Sequence, residues 1–475
     1  MLKHSLVLSA AVSAAVMTMS AGAATEAERI KQLEQQLQQQ QQMLQMMQQE
    51  LQQLKAGQAA PGRAEPGRAD PGQVESTAVH SVVQPQEIEA EAVAVAPTET
   101  DPLGFDIYGF VMADAIYDFK RVDPDWNDTL RVSTIPTQDG QYGEDGEFVF
   151  SVRQSRLGVR GEYDTPAGKV TALLEAELFG TGGDAGQTTP RLRHAWATWN
   201  NIGLGQYWSN FMDIDVFPNT IDYWGPTGMV FYRNQQVRYS FPMGDDEFSI
   251  ALENPDTALT VGKFRDECAA ELEENCDSVL NDVFRKYNDI PDLSIRYRDN
   301  TDWGHWQLAG IARKLGYERL DTGEKDSEFG WGVNASTVIN TFGQDKLKLQ
   351  LVYGEGVGNY MNDGGVDLAP REATRVGNSA EAVPILGVVA YYDHYWSDKW
   401  STSVGWSTTK LDTTKGQDGS EFEQGQIAQI NLLHYPTSGV LIGGELIWGE
   451  REDVSGDDGY DLRAQLSLKV NFPRE

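Results

Sequence analysis

The last stretch of the chain carries the plainest pattern. Leu462, Ala464, Leu466, Leu468, Val470 and Phe472 alternate with Arg463, Gln465, Ser467, Lys469 and Asn471. Successive side chains of a strand point to opposite faces, so this is a strand with one apolar and one polar side. Val170, Ala172, Leu174, Ala176 and Leu178 repeat it against Lys169, Thr171, Glu175 and Glu177. The pattern predicts sixteen strands, at 105–119, 148–163, 169–179, 191–200, 202–209, 229–241, 247–254, 293–298, 305–317, 328–338, 346–353, 384–395, 400–410, 423–435, 440–450 and 460–472. Seven short turns alternate with eight long, acidic loops between them. Asp164-Thr165-Pro166-Ala167-Gly168, Asn200-Asn201, Ser397-Asp398-Lys399 and Pro436-Thr437-Ser438-Gly439 are turns built from turn formers.

A sheet in lipid must close so that no edge N–H or C=O stays unpaired. An even strand count returns both ends to one side, with short turns there and long loops opposite. The expectation is therefore an all-β fold, a sixteen-stranded antiparallel transmembrane β-barrel over residues 103–475, preceded by an N-terminal α-helical coiled coil. Trp303, Trp306, Trp396 and Trp400 flank two of the short turns, where amphipathic rings suit the membrane interface.

Three segments precede the barrel. Lys3 and His4 lead into the apolar run Leu6 to Met19, which ends at Ala21-Gly22-Ala23. This reads as a secretory signal peptide over 1–23, too short for a spanning helix. Over 24–55, Ile30, Leu37, Leu44 and Leu51 hold one heptad position and Leu33, Gln40, Met47 and Leu54 the other. That seam implies partner chains, and Gln40 is placed to set register or oligomer state. Residues 56–102 hold Pro-Gly-Arg-Ala repeats and then Glu, Ala and Val with scattered prolines, a flexible linker. The secreted helix should remain periplasmic, so strand one rises from the periplasm and the long loops are extracellular. The cell outer membrane of a Gram-negative envelope, with its lipids as partners, is the expected location.

Composition narrows the chemistry. The mean hydropathy of −0.45 is compatible with a barrel, whose apolar half alternates with a polar half. A formal net charge of −33 argues against nucleic acid. Cys268 and Cys276 share one loop and could form a disulfide in an oxidising compartment; two thiols without nearby histidines do not make a zinc site. The acidic run Asp453 to Asp461 lacks the glutamate that closes a calcium loop, so no metal or cofactor is expected. His194, His305, His394 and His434 come with no Gly-x-Ser-x-Gly elbow, and an enzyme is not expected.

Against this acidic background several strands carry arginines at mid-length: Arg153, Arg156, Arg160, Arg191, Arg193, Arg233, Arg238, Arg296, Arg298 and Arg313. Facing lipid there would cost each about 2–4 kcal/mol, so they should point into the lumen. Alternation supports that for Arg156, Arg160, Arg238, Arg296 and Arg298. Arg153 and Arg233 have the opposite parity, from a bulge or from a position above the hydrocarbon. A ring of guanidinium groups concentrates anions. The competing reading pairs them with Glu162, Glu175, Glu177 and Glu253 as braces. The apolar, aromatic segment from Asn210 through Phe217 to Pro226 should fold into the lumen as a constriction. It would set Asp213, Asp215, Asp222 and Tyr223 opposite the arginine wall in a transverse field.

The segments YGFVMADAIYDF (108–119), RQSRLGVRGEYDTPAGKV (153–170), RLRHAWATW (191–199), GQYWSNFMD (205–213) and RNQQVRYSF (233–241) together resemble the DcaP family of trimeric outer-membrane porins. The resemblance implies a homotrimer of sixteen-stranded barrels taking up dicarboxylic acids and similar small organic anions. It maps the family's basic pore wall onto Arg153, Arg156, Arg160, Arg191, Arg193, Arg233 and Arg238, and its inward loop onto Asn210 to Gly228. Phe472 is followed by Pro473-Arg474-Glu475, a departure from barrels that end in an aromatic residue. The loops at 255–292 and 354–383 depart further. Two alternatives stand beside this reading: a general porin with little anion selectivity, and a structural or adhesive barrel.

Overall fold

The computed structural model describes residues 104–124, 127–180, 188–264, 284–374 and 377–472. The expected signal peptide, coiled coil and linker, both cysteines, and Pro473 to Glu475 lie outside the described residues.

Sixteen staves, each crossing the sheet once, form the barrel. They are β1 (Phe105–Asp118), a split stave β2 (Glu147–Ser151) and β3 (Arg156–Thr165), β4 (Gly168–Glu177), β5 (Arg191–Trp199), β6 (Ile202–Trp208), β7 (Arg233–Met243) and β8 (Asp246–Glu253). A second split stave, β9 (Phe284–Tyr287) and β10 (Asp292–Thr301), leads to β11 (Gly304–Arg319), β12 (Lys325–Asn340) and β13 (Lys346–Glu355). After the loop ribbon β14 (Leu368–Pro370) and β15 (Ala380–Ala382) come β16 (Pro384–Ser397), β17 (Trp400–Leu411), β18 (Phe422–Thr437), β19 (Val440–Asp453) and β20 (Asp458–Phe472).

Neighbouring staves pair antiparallel in chain order, and β1 pairs with both β3 and β20, from Gly109↔Phe472 to Asp118↔Arg463. The sheet therefore closes, as the alternation requires. Leu157, Leu174, Leu308, Leu351, Leu446 and Leu466 are exposed on the outside, while Asp114, Gln465, Ser467 and Arg463 are buried inside. This inverts the soluble pattern and matches lipid outside with polar groups within.

The buried apolar residues come in nearly equal part from the staves and from loops turned inward. Residues 209–232 leave β6 and enter the lumen. There Phe211, Met212, Val216, Met229 and Val230 pack with Val352, Val389, Tyr360 and Met361. Val122, Leu130, Val132 and Ile135 of the first loop pack on Ile427 and Ile447. Gly228 lies flat on the wall; a Cβ there would sit 2.0 Å from the Thr408 carbonyl oxygen.

Two of the eight expected long loops are tight hairpins. β11 and β12 are joined by residues 320–324, and β19 and β20 by 454–457. The charged ends Glu318, Arg319, Lys325 and Asp326 hide strand that continues past the apolar band. β9 was not expected either. It lies inside a sequence that reads as loop, and pairs with the far end of β11.

Leu466, exposed in the middle of β20, tests the lipid face. Leu466→Arg should lower unfolding stability in vesicles by about 2–4 kcal/mol, read by urea titration.

Candidate functional site

The inward loop starts where the wall is split. β5 pairs with β6 only from Ala195↔Gln206 to Trp199↔Ile202, whereas β6 stays paired with β7 up to Trp208↔Arg233. Gly205, at φ +116°, lets the strands touch at the last paired turn, where a Cβ would meet the Ala195 carbonyl oxygen at 2.0 Å. Beyond it, Gln206 Nε2 donates to the carbonyls of Leu192 (3.3 Å) and Arg193 (3.0 Å), and Gln235 Nε2 donates to Gln206 Oε1 at 2.7 Å. Side-chain amides thus replace the missing ladder. Trp208 fills the gap, with the guanidinium carbons of Arg193 and Arg233 5.4 and 5.2 Å from its ring centroid.

A chain inside a barrel has no strand partner, so wall side chains must satisfy its backbone. Asn334 donates to the Phe211 carbonyl (2.9 Å), Gln307 to Met212 (3.0 Å) and Gln350 to Gly228 (3.2 Å). Glu445 accepts from the Ile221 N–H at 2.9 Å, and Asp393 from Asn219 N–H at 3.2 Å. The loop acids are clamps. Asp213 accepts from Ser336 (2.7 Å), contacts His305 Nε2 (2.9 Å) and lies 3.4 Å from Arg298 Nη1. Asp222 accepts from Thr129 (2.8 Å) and lies 3.4 Å from Arg463, which also grips Asp118 at 2.6 and 2.9 Å. Asp215 pairs with Arg298. Asp213 and Asp222 therefore bond to cations nearer than Arg156 and Arg193, while Asp215 and Asp222 line the same cavity as those two arginines. A buried carboxylate needs a charge and hydrogen bonds at once, and the nearer cations provide both.

Opposite the loop, β3, β4 and β5 carry the basic wall. Arg193 bonds Glu175 (2.6 Å) and Glu177 (2.8 Å). Arg156 lies 3.7 Å from Glu175, and Arg233 3.7 Å from Glu177. Tyr223, from the loop, donates to Glu177 and stacks on Phe179 at 3.9 Å. An irregularity between Glu175 and Ala176 in the β4–β5 register carries both Arg193 and His194 inward. Between wall and loop lies a cavity of about 350 Å³, lined among others by Arg156, Arg193, Arg298, Lys348, Lys469 and Phe217.

The remaining expected site residues lie elsewhere. Arg153, in the break between β2 and β3, is buried against Asp128 (2.7 Å) and the Gly180 carbonyl (2.7 Å). Arg160 lies 3.5 Å from Asp106, and Arg296 is paired with Glu247. Arg238 donates to Gln236 and to the Trp208 carbonyl. Arg313 binds Asp292 (2.9 Å) and Asp367 (3.0 Å). Arg191 makes no ion pair with a described residue and lines, with Arg131 and Arg233, a second cavity on the long-loop side. Arg131, Lys348 and Lys469 were not singled out by sequence. Lys469 was legible as an inward position of β20; Arg131 sits in a loop with no periodicity to place it.

Asp213, Asp215 and His305 offer ligand atoms within 4.8 Å of one another, a spacing that could hold a metal ion. Arg298 already supplies the positive charge there. His394 bonds Asp345, and His434 contacts the Lys399 carbonyl.

The model of the DcaP outer membrane protein family matches residues 88–260, so the resemblance seen in the motifs is found independently. The outer membrane channel DcaP of Acinetobacter baumannii is 22% identical with a TM-score of 0.64, covering 78% of this chain and 99% of that one. An anion-selective porin from Comamonas acidovorans is 11% identical with a TM-score of 0.50, covering 78% and 99%. Both share the barrel fold. No curated protein matches the sequence significantly.

Burial raises the Asp213 carboxyl, but the bond and charge of His305, Arg298 and the Ser336 hydroxyl together hold it below its ordinary 3.8. A carboxyl depressed on folding adds stability above its unfolded value and loses it as pH falls lower. Asp213→Asn should lower loop stability by roughly 3 kcal/mol, the low end for a broken buried pair because Arg298 keeps Asp215. Single-channel traces should become noisier, and the variant should lose part of the wild type's added noise below about pH 4.

Proposed function

We propose that this chain is an outer-membrane porin for diffusive uptake of small organic anions, such as dicarboxylic acids, through an arginine-lined pore. The resemblance to DcaP outer membrane proteins and the porin fold support the channel. One observation carries the selectivity. Arg131, Arg156, Arg191, Arg193 and Arg233 line the passage, and the carboxylates found against them among the described residues are Glu175, Glu177 and Asp363. Arg298, Lys346, Lys348 and Lys469 also line it, against Asp215 and Asp222, so the described lining is cationic inside a chain whose sum is −33.

Two unit charges 4 Å apart interact by about 4 kcal/mol at an effective dielectric of 20. An uncompensated guanidinium in a narrow passage therefore holds a carboxylate long enough to favour it, and sharing among several arginines keeps any one grip weak enough to release. Cross-bracing and anion attraction are then the same wall. Its carboxylates position the guanidiniums without cancelling them.

The assembly we infer is a homotrimer, from the heptads at 24–55 and the family resemblance, with the coiled coil in the periplasm. Crosslinking in mild detergent should trap three chains; monomers alone would count against it.

In a potassium chloride gradient the reconstituted protein should show a reversal potential on the anion-selective side, and succinate should block its current. A potential near zero favours a general porin, and no conductance at all a structural barrel. Arg156→Ala with Arg193→Ala should weaken the succinate block. Arg156→Gln, which leaves Glu175 bound to Arg193, gives the same direction with less risk to folding. Unchanged block would remove these residues from the substrate path.

A further inference from the structure

The passage has two chambers. The inner one, described above, holds Arg156, Arg193 and Lys469. An outer one of about 460 Å³ lies on the long-loop side, against Arg131, Arg191 and Arg233. Tyr223 and Phe231 line both, so they form the partition. Phe231 is held by Trp208 and Phe217 at 5.0 and 5.5 Å between ring centroids, and Tyr223 by Phe179 and Glu177.

We propose that the outer chamber is a separate oxyanion subsite, taking one carboxylate group of a solute before it passes the Tyr223–Phe231 partition. This rests on the anion-pore reading and deepens it. Three observations carry it. Arg191 lines the chamber and makes no ion pair among the described residues. Arg233 has a side chain 9% exposed, and its Nη1 is buried without a hydrogen-bond partner. Its other nitrogen is only 3.7 Å from Glu177, a carboxylate that Arg193 and Tyr223 already engage. A buried guanidinium donor left unmade is costly, so a small shift of Arg233 into the chamber it lines would be repaid by an arriving carboxylate oxygen.

The chamber is also built to stay open. Arg131 lies over the Trp224 ring at 4.4 Å and 3.9 Å from Asp363. Asp363 is fully occupied, accepting from Ser133 N–H at 2.9 Å and from the Ser133 hydroxyl. Asn362 ties the same loop to the carbonyls of Trp224 (2.6 Å) and Pro226 (3.1 Å). The floor is thus held by the neighbouring loop, so neither acid is free to swing onto Arg191. On β5, Arg191 lies two residues nearer the long-loop end than Arg193.

The test uses the full-length protein in planar bilayers, with succinate added to the long-loop side at constant ionic strength. Arg191→Gln combined with Arg233→Gln should lower the blocking frequency about tenfold. The chloride reversal potential should move toward zero, because the pair supplies two of the pore's arginine charges, and stay on the anion-selective side through Lys348 and Lys469 of the inner chamber. Arg191→Gln alone disturbs no ion pair among the described residues and should lower the frequency about threefold, which keeps the test available if the double variant fails to fold. Unchanged blocking frequency in Arg191→Gln, with wild-type anion selectivity intact, overturns the subsite and leaves the pore reading standing. A wild-type pore without anion selectivity overturns both.

Discussion

Every backbone N–H and C=O that meets hydrocarbon needs a partner inside the protein. The rest of this structure follows from that demand. β1 and β20 must find each other across the length of the chain, and they do so over Gly109 to Asp118. Closure then sorts the side chains, apolar outward and polar inward. The interior becomes a place where charged groups can be kept. The inward loop faces the same demand without a sheet to join. Its carbonyls at Phe211, Met212 and Gly228 are served by Asn334, Gln307 and Gln350, which project from β12, β11 and β13.

Charge inside the lumen is divided between holding and attracting. Around Asp213 and Asp222, cations and anions meet at full contact with supporting hydrogen bonds, and the result is a fixed loop. On β3, β4, β5 and β7 the ion pairs join three guanidiniums, those of Arg156, Arg193 and Arg233, to two carboxylates, and Glu175 and Glu177 are each shared. The difference lies in stoichiometry, since both places use the same side-chain types. A lumen of balanced pairs would be rigid and indifferent to solute charge; one of unbalanced cations would repel itself apart. Sharing gives a wall that stays in place and still presents positive charge.

Strand positions were legible because period-two alternation is a local signal. β20 and β4 run as their alternating residues require. Strand ends were less legible where charged residues continue beyond the lipid band, as at Glu318 and Lys325. The direction of Arg156 followed from its neighbours. Arg153 did not, because the break between β2 and β3 resets the parity; Arg233 did not, because the first residue of β7 sits at the root of the inward loop. The inward fold of residues 210–226 was readable from apolar content outside any strand. Which cation each loop acid would meet was not, because Arg298, His305 and Arg463 lie far away in sequence and are brought close only by the closed barrel.

The split between β5 and β6 has a mechanical consequence. Over that stretch the Gln206 side chain, steadied by Gln235, stands in for the ladder, and a side-chain amide has rotatable bonds that a paired strand lacks. The seam at Leu192 and Arg193 is accordingly softer than one held by a continuous ladder. Thermal breathing would open it before any of the fully laddered seams, and solvent deuterons would reach its amides first.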